Sequence, residues 1–441
     1  MPTLLQLLRT SWMIGLTAYG GPAILAHMKR VLVRQKAWVT EAQFMEGLSL
    51  AQLLPGATGV TLMGYLGLRL RGPVGAVIMP LFFALPAFIL MVILSAVYFT
   101  YGQIPLIRSL FIGMGALVVA LLINAMLVLG KSIFSNHFSK DTRRYIIALL
   151  AFLGGFFLHI QVAGIVLFSA LAGIILLTDL KVQGSPKATT IDSSSNQNTA
   201  KWLWLLLGVV ALILLIFISP YRSLFTSLAG VGLLAFGGGF TSIPLMQHLA
   251  VDSQAWLTLS EFRDGIALGQ VTPGPVLITS AFIGYKLEGI IGAAIGTLGI
   301  FLPSLIGIMI LSFFHHQVKN IVWVQRGLKG VLSGFMGLLF MVTLRFGLQS
   351  LVNWQTWIIL LVSLFVIIKL KKDPLWVILG TLLFSALFIY TDLKLVYGFA
   401  SSPTLIRHPG SFHWTPRIHF RSHPGRSSLR AFTRLRRKLL S

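Results

Sequence analysis

Two glutamines stand inside apolar sequence, each followed at the same spacing by a proline and a glycine: Gln52 in AQLLPGAT (51–58) and Gln270 in GQVTPGPV (269–276). A primary amide offers two N–H donors and one acceptor and does not titrate. Such a pair suits holding a polar ligand rather than moving protons. Pro55, Gly56, Pro273, Gly274 and Pro275 break any helix that contains them, because proline lacks an N–H and glycine relaxes φ. The freed backbone N–H groups, and the N-terminus of the helix that follows, carry partial positive charge suited to an anion. Gly20–Gly21–Pro22 and Gly237–Gly238–Gly239 add two places where backbone can approach a ligand closely. Glu46 and Asp264 each lie six residues before their glutamine. A carboxylate there could carry a coupling proton, neutralise an arginine, or simply favour a helix start. Arg30 could grip a dianion through its fork of donors, or mark a cytoplasmic loop.

The surrounding elements must be membrane helices. Hydrophobic residues make up 56% of the 441, charged residues 10%, and mean hydropathy is +0.86. A soluble domain carries about 25% charged residues. Continuous apolar runs such as 74–99 and 202–219 exceed the roughly 18 residues that mark a spanning helix. They do not alternate as barrel strands would. The expected fold is therefore an all-α polytopic membrane protein with about 10–12 membrane segments, beginning with the N-terminal apolar run. The formal charge of +24 reads as lysines and arginines in cytoplasmic loops beside a lipid bilayer, with no nucleic-acid partner. Nine of the basic residues and no acid fall in 401–441. Residues 399–441 read as a disordered or out-of-frame tail and are given no function.

The organisation is a duplication. AYGGP (18–22) matches AFGGG (235–239), Trp38 matches Trp256, and Phe44 matches Phe262. Gly47 matches Gly265, GLRLRGPVGA (67–76) matches GYKLEGIIGA (284–293), and Pro86 matches Pro303, all at an offset of 217–218. The expected domains are a first repeat (1–180), a polar linker (181–201) and a second repeat (202–398) with an extra leading helix. Internal repeats with broken helices near the midplane are the habit of secondary transporters. Loop 29–36 is rich in Lys and Arg while its counterpart 247–255 has none, and the bias reverses between 98–107 and 315–329. That pattern predicts inverted repeats. With 47–68 taken as a re-entrant hairpin, a count of crossings at 73–97, 109–130, 145–160, 162–178, 203–219 and 226–245 gives six, which would put the two loops on one side. The two readings conflict, so one segment must fail to span or the charge rule misleads.

Enzyme chemistry finds no footing. Cysteine is absent, His315 and His316 lack a carboxylate at ligand spacing, and no phosphate-binding P-loop occurs. No metal or cofactor is implied. A membrane enzyme acting on lipid phosphates would need a cluster of His or acids that the chain lacks. Thr58, Thr61, Thr272, Thr279 and Ser280 lie near the breaks without a base, and suit hydrogen bonding to a ligand or to their own helix. Trp38 and Trp256 read as interfacial anchors.

At these motifs the sequence resembles the chromate ion transporter family in its long, two-domain form. The resemblance runs over 8–180 and 222–398. It rests on Gly20–Gly21–Pro22, Trp38, Gln52, Pro55–Gly56 and Pro86, and in the second copy on Phe236–Gly239, Trp256, Gly269–Gln270, Pro273–Pro275, Gly284–Tyr285 and Pro303. The first copy departs at Tyr19, at Ala57 where a second proline is expected, and at Leu68 where the second copy has Tyr285. The resemblance implies a multi-pass protein of the bacterial plasma (inner) membrane that exports chromate and confers resistance. Sulfate is the look-alike tetrahedral oxyanion, another inorganic anion is the alternative cargo, and a homodimer is left open.

Overall fold

The computed structural model describes residues 2–17, 21–134, 138–178, 219–318, 322–372 and 374–391. The linker, the tail and, but for its last residue, the segment 203–219 read as a crossing lie outside them. The described residues form two series of seven helices. The first comprises α1 (Leu4–Thr17), α2 (Gly21–Lys29), α3 (Glu41–Leu53), α4 (Thr58–Tyr101), α5 (Pro105–Ile133), α6 (Phe138–Phe156) and α7 (Val162–Leu176). The second comprises α8 (Arg222–Leu234), α9 (Ser242–Gln247), α10 (Leu259–Val271), α11 (Thr279–Val318), α12 (Val322–Ser350), α13 (Trp354–Ile368) and α14 (Pro374–Phe384). Among the described residues, four segments are long and apolar enough to cross a membrane: Thr58–Tyr101, Pro105–Ile133, Val276–Ser312 and Val322–Ser350.

The repeat extends to backbone detail. Thr40 and Thr258 each close a capping box at the start of α3 and α10, with Gln43 and Glu261 as the reciprocal partners. A π-helical turn follows α2 (Arg30–Gln35) and α9 (His248–Ser253). Ala37 and Ala255 share φ 50°, and Gly56 and Gly274 have φ 109° and 110°. Non-helical backbone at Arg71–Gly72 divides α4 into α4a (58–70) and α4b (73–101), and Glu288–Gly289 divides α11 into α11a (279–287) and α11b (290–318). These are reversals rather than bends. Gly67 packs on the backbone of Gly75, and Gly284 on that of Gly292, contacts that a continuous helix could not make. Each approach leaves no room for a Cβ.

α3 and α4a fold back on one another, with Gly47 against the Tyr65 ring, so together they form a re-entrant hairpin whose tip is 54–57. α10 and α11a do the same around 272–275, with Gly265 against Phe282. α4b fixes their relative direction. It begins beside the base of the first hairpin and runs roughly 43 Å at about 1.5 Å per residue. It ends beside the base of the second hairpin. There the Tyr98 and Phe99 rings lie 5.3 and 4.9 Å from that of Phe282, and the Tyr98 hydroxyl donates to Asp264 at 3.0 Å. The hairpins therefore enter from opposite faces, face 1 for the first and face 2 for the second, and the repeats are inverted.

The conflict in the crossing count resolves at 226–245. α8 starts at face 2, where the Phe225 carbonyl packs on Gly299, and runs inward to the glycines 237–239. The chain returns through α9 to face 2, where Arg345 near the end of α12 binds Asp252. This segment is a second re-entrant hairpin, not a crossing, and sequence hydropathy cannot tell the two apart. α1 and α2 form its counterpart from face 1, where Pro2 accepts from Arg71 and Lys29 pairs with Glu41. α6 and α7 also pair, Arg143 near the start of α6 donating to the Leu176 carbonyl.

The two series are interleaved. α6 and α7 pack along α12 of the second repeat, while α13 and α14 pack along α5 of the first. Serine and glycine permit the closeness: Gly330 meets the Ser169 carbonyl, and Gly113 meets Ser385.

Candidate functional site

Three of the hairpin tips, 54–57, 237–239 and 272–275, meet at the middle of the bundle. Gly56 at the first α3–α4a tip donates its N–H to the Ala235 carbonyl at 2.9 Å, joining it to the glycine break after α8. A Cβ on Gly238 would lie 3.8 Å from the Thr58 hydroxyl, and one on Gly239 would lie 3.0 Å from Val276 beside the second tip. Each tip also rests on the proline-bearing helix of the other repeat. A Cβ on Gly56 would lie 2.7 Å from Ser304 Cβ, next to Pro303, and one on Gly274 would lie 3.0 Å from Ala87 Cβ, next to Pro86. Sequence reasoning picked out these breaks separately. Their convergence follows from the inversion, which sets the half-depth hairpin 41–70 from one face against those from the other.

The groups offered at the centre are neutral. Ala57 caps α4a without a side-chain bond, so the first N–H groups of that helix have no capping partner from it. Gln270 is half-buried and its Nε2 is enclosed without a hydrogen-bond partner. Gln52, its equivalent, is exposed. The hydroxyls divide. Thr61, Thr272 and Thr279 donate to the carbonyls of Ala57, Gly269 and Val276 within their own turns, while Ser280 Oγ is buried and unpaired. Pro55 is half-buried, and Pro273 and Pro275 are buried in the second tip. Gly20 lies outside the described residues. Gly21 and Pro22 open α2.

The charged candidates sit away from the tips. Arg30 is exposed in the π-helical turn at face 1. Glu46 lies 3.7 Å from Arg69 on the facing leg of its hairpin, with the guanidinium over the Tyr65 ring at 5.7 Å. Asp264 is buried toward face 2 and takes two hydrogen bonds from Arg263, at 3.0 and 2.8 Å, besides the one from Tyr98. Arg263 also donates to Ser350 at 3.1 Å and to Ser260 at 3.0 Å, so all three guanidinium nitrogens are used. Arg263 and Tyr98 escaped the repeat comparison because positions 45 and 263 differ, Met45 against Arg263. An arginine inside FRDGIAL was the signal that could have found it. Among the described residues no cluster of His, Asp or Glu could hold a metal ion. His315 and His316 side chains lie outside the description.

Broken helices in inverted repeats, meeting at mid-depth, are the architecture of a membrane transporter. The chain belongs to the chromate transporter family, which it matches over residues 5–174 and 222–386. It is a multi-pass plasma-membrane protein. It is 33% identical to the uncharacterized transporter MJ0718 of Methanocaldococcus jannaschii over 395 residues, 88% of this chain and 95% of that one. It is 31% identical to a chromate transport protein of Pseudomonas aeruginosa over 352 residues, 75% of this chain and 78% of that one. An uncharacterized transporter of Bacillus subtilis, YwrB, is 29% identical over 172 residues, 38% of this chain and 87% of its own length. No solved structure matches the chain.

Proposed function

We propose that the protein exports chromate, or a tetrahedral oxyanion of sulfate-like shape and charge, from the cytoplasm, and that the anion binds where the hairpin tips meet. The observation that carries this reading is the convergence of three broken-helix tips, 54–57 from face 1 with 237–239 and 272–275 from face 2, on a centre furnished with uncharged N–H and O–H donors. Gln52 and Gln270 donate through their amides, and the start of α4a adds backbone N–H groups. Glu46 and Asp264 sit in ion pairs with Arg69 and Arg263, which makes them candidates for gating or coupling rather than contacts to the anion.

The charge distribution gives the orientation. Lys29, Arg30, Arg34, Lys36, Arg69 and Arg71 gather at face 1, so face 1 is assigned to the cytoplasm. Export of a dianion from a negative interior is downhill. At about 2.3 kcal/mol per charge per 100 mV, two charges gain roughly 7 kcal/mol at ~150 mV. That sustains a gradient of about 10⁵, so a coupled proton is not required. The test is uptake of labelled chromate into everted vesicles under an imposed interior-positive potential, with sulfate as competitor. Uptake that follows the potential and is suppressed by sulfate is expected. Uptake indifferent to both would sink the reading.

A further inference from the structure

The two repeats share a fold but not a packing. α10 is buried from Phe262 to Gly269. It lies along α5, where a Cβ on Gly115 would fall 2.9 Å from Arg263 Nε, and it reaches the last turn of α12 through Ser350. Its equivalent α3 packs on α4 and α11. The matching surface, which the inverted repeat would set against α12, is open. Met45 is 46% exposed where its counterpart Arg263 is 7% exposed. Gln52, one residue short of the end of α3 and close to the tip, is exposed as well. A glutamine facing lipid at that depth would leave its amide unsatisfied at a cost of several kcal/mol. We infer that the open side of α3 is a water-filled crevice, since water satisfies that amide and lipid does not.

We propose that the Arg263–Asp264 pair is the latch of a closed gate at face 2 and that the molecule is open toward face 1. The transport cycle then exchanges these two packings between the repeats, α3 docking on α12 as α10 leaves α5. This rests on the transporter reading above. The latch joins three elements through one ion pair: α10 supplies it, α4b contributes the Tyr98 hydroxyl and α12 contributes Ser350. A second tie at the same face binds Asp252 to Arg345 of α12 at 3.1 and 3.2 Å. At face 1 the ion pairs Lys29–Glu41 and Glu46–Arg69 stay within the neighbouring hairpins of repeat 1. Arg263, Tyr98 and Ser350 are thus positioning residues for the cycle, acting on which face the central site can see.

The chain has no cysteine, so single-cysteine variants report access directly. In M45C, Q52C and A267C proteins, labelling with a membrane-impermeant maleimide is measured from each face in oriented vesicles. The first two are expected to label from face 1 alone, and A267C, where Ala267 is fully buried, to stay at background. The latch is then removed as a pair, R263M with D264N, because deleting one partner would strand a buried charge. In that background A267C labelling from face 2 is expected to rise about tenfold, the population shift worth ~1.4 kcal/mol, while M45C labelling falls. M45C and Q52C proteins that resist labelling from face 1 would overturn the crevice. A latch-free protein that is monodisperse yet leaves A267C unlabelled would overturn the gate. Neither readout uses a substrate, so a wrong oxyanion leaves both results intact.

Discussion

Gly56 offers the sharpest test of the central site, because two independent penalties fall on one added methyl group. Its φ of 109° lies where an L side chain is strained, at about 1–2 kcal/mol. A Cβ would also lie 2.7 Å from Ser304 Cβ and 2.9 Å from Ser304 Oγ, both on α11b of the other repeat. Overpacking of this kind costs about 1–3 kcal/mol. Gly56→Ala should therefore destabilise by about 2–5 kcal/mol, with the tip pushed off α11b and uptake lost. The two penalties separate. Ser304→Gly opens the space but leaves the φ strain, so the double variant should recover the overpacking share, less about 0.5 kcal/mol for a glycine in a helix. Gly274→Ala has the same φ strain at 110° but meets Ala87 Cβ at 3.0 Å, and should cost less than Gly56→Ala. Reversible unfolding in mixed micelles, followed by tryptophan fluorescence, measures all four proteins. A Gly56→Ala protein as stable as the parent, or one that Ser304→Gly fails to relieve, would refute the placement of the tip.

Gln270→Leu should separate function from stability. The enclosed Nε2 has no partner to lose, so the variant should be at least as stable as the parent, gaining up to about 1–3 kcal/mol, while vesicle uptake falls. A loss of stability would mean that the amide is structural. Splitting the chain between 178 and 219 should yield two halves that are inactive alone and active when co-expressed, since α5 and α12 are each covered by helices of the other repeat. Uptake by either half alone would contradict the interleaving. At face 2, burial raises the Asp252 carboxyl, but hydrogen bonds and charge from His248 and Arg345 outweigh it and hold it below the ordinary carboxylate range. A depressed carboxyl stabilises above its unfolded pKa and loses that contribution as pH falls through the folded value. The Arg345 tie should therefore hold in full down to about pH 4, the ordinary Asp value, and be lost only as pH falls further, through the lowered folded value. Labelling of A267C from face 2 across an acid titration checks this, with Asp252→Asn expected to loosen the tie at every pH.

Much of the site was legible because the same physics had been written twice. The glycines with positive φ and the prolines at the tips stand at a constant offset, and the loop charges pointed to the inversion against the crossing count. What the comparison of repeats could not reach was whatever the repeats do not share. Arg263 faces Met45 across the pseudo-symmetry, so the most elaborate polar network fell outside the aligned set. Hydropathy likewise could not separate a crossing from a re-entrant pair, because 226–245 is apolar in either case. The glycine step at 237–239 was visible, but a turn and a kink have the same composition.

The hairpin geometry also limits how the anion can be held. Every tip brings in two helix ends, the C-terminus of the entering leg and the N-terminus of the leaving one, with partial charges near −0.5 and +0.5. The sum over the centre is close to zero, so the proposed site is no positive well for a dianion. Binding must come from placement, the anion lying against the starts of α4a and α11a and the glutamine amides, away from the carbonyl ends of α3 and α10. Arg263 does not alter this balance, since Asp264 cancels its charge. A site of this kind binds weakly, and for an exporter driven by membrane potential weak binding is an advantage. In the proposed export, the roughly 7 kcal/mol available to a dianion at ~150 mV would drive translocation, and a deep well at the midpoint would only slow release.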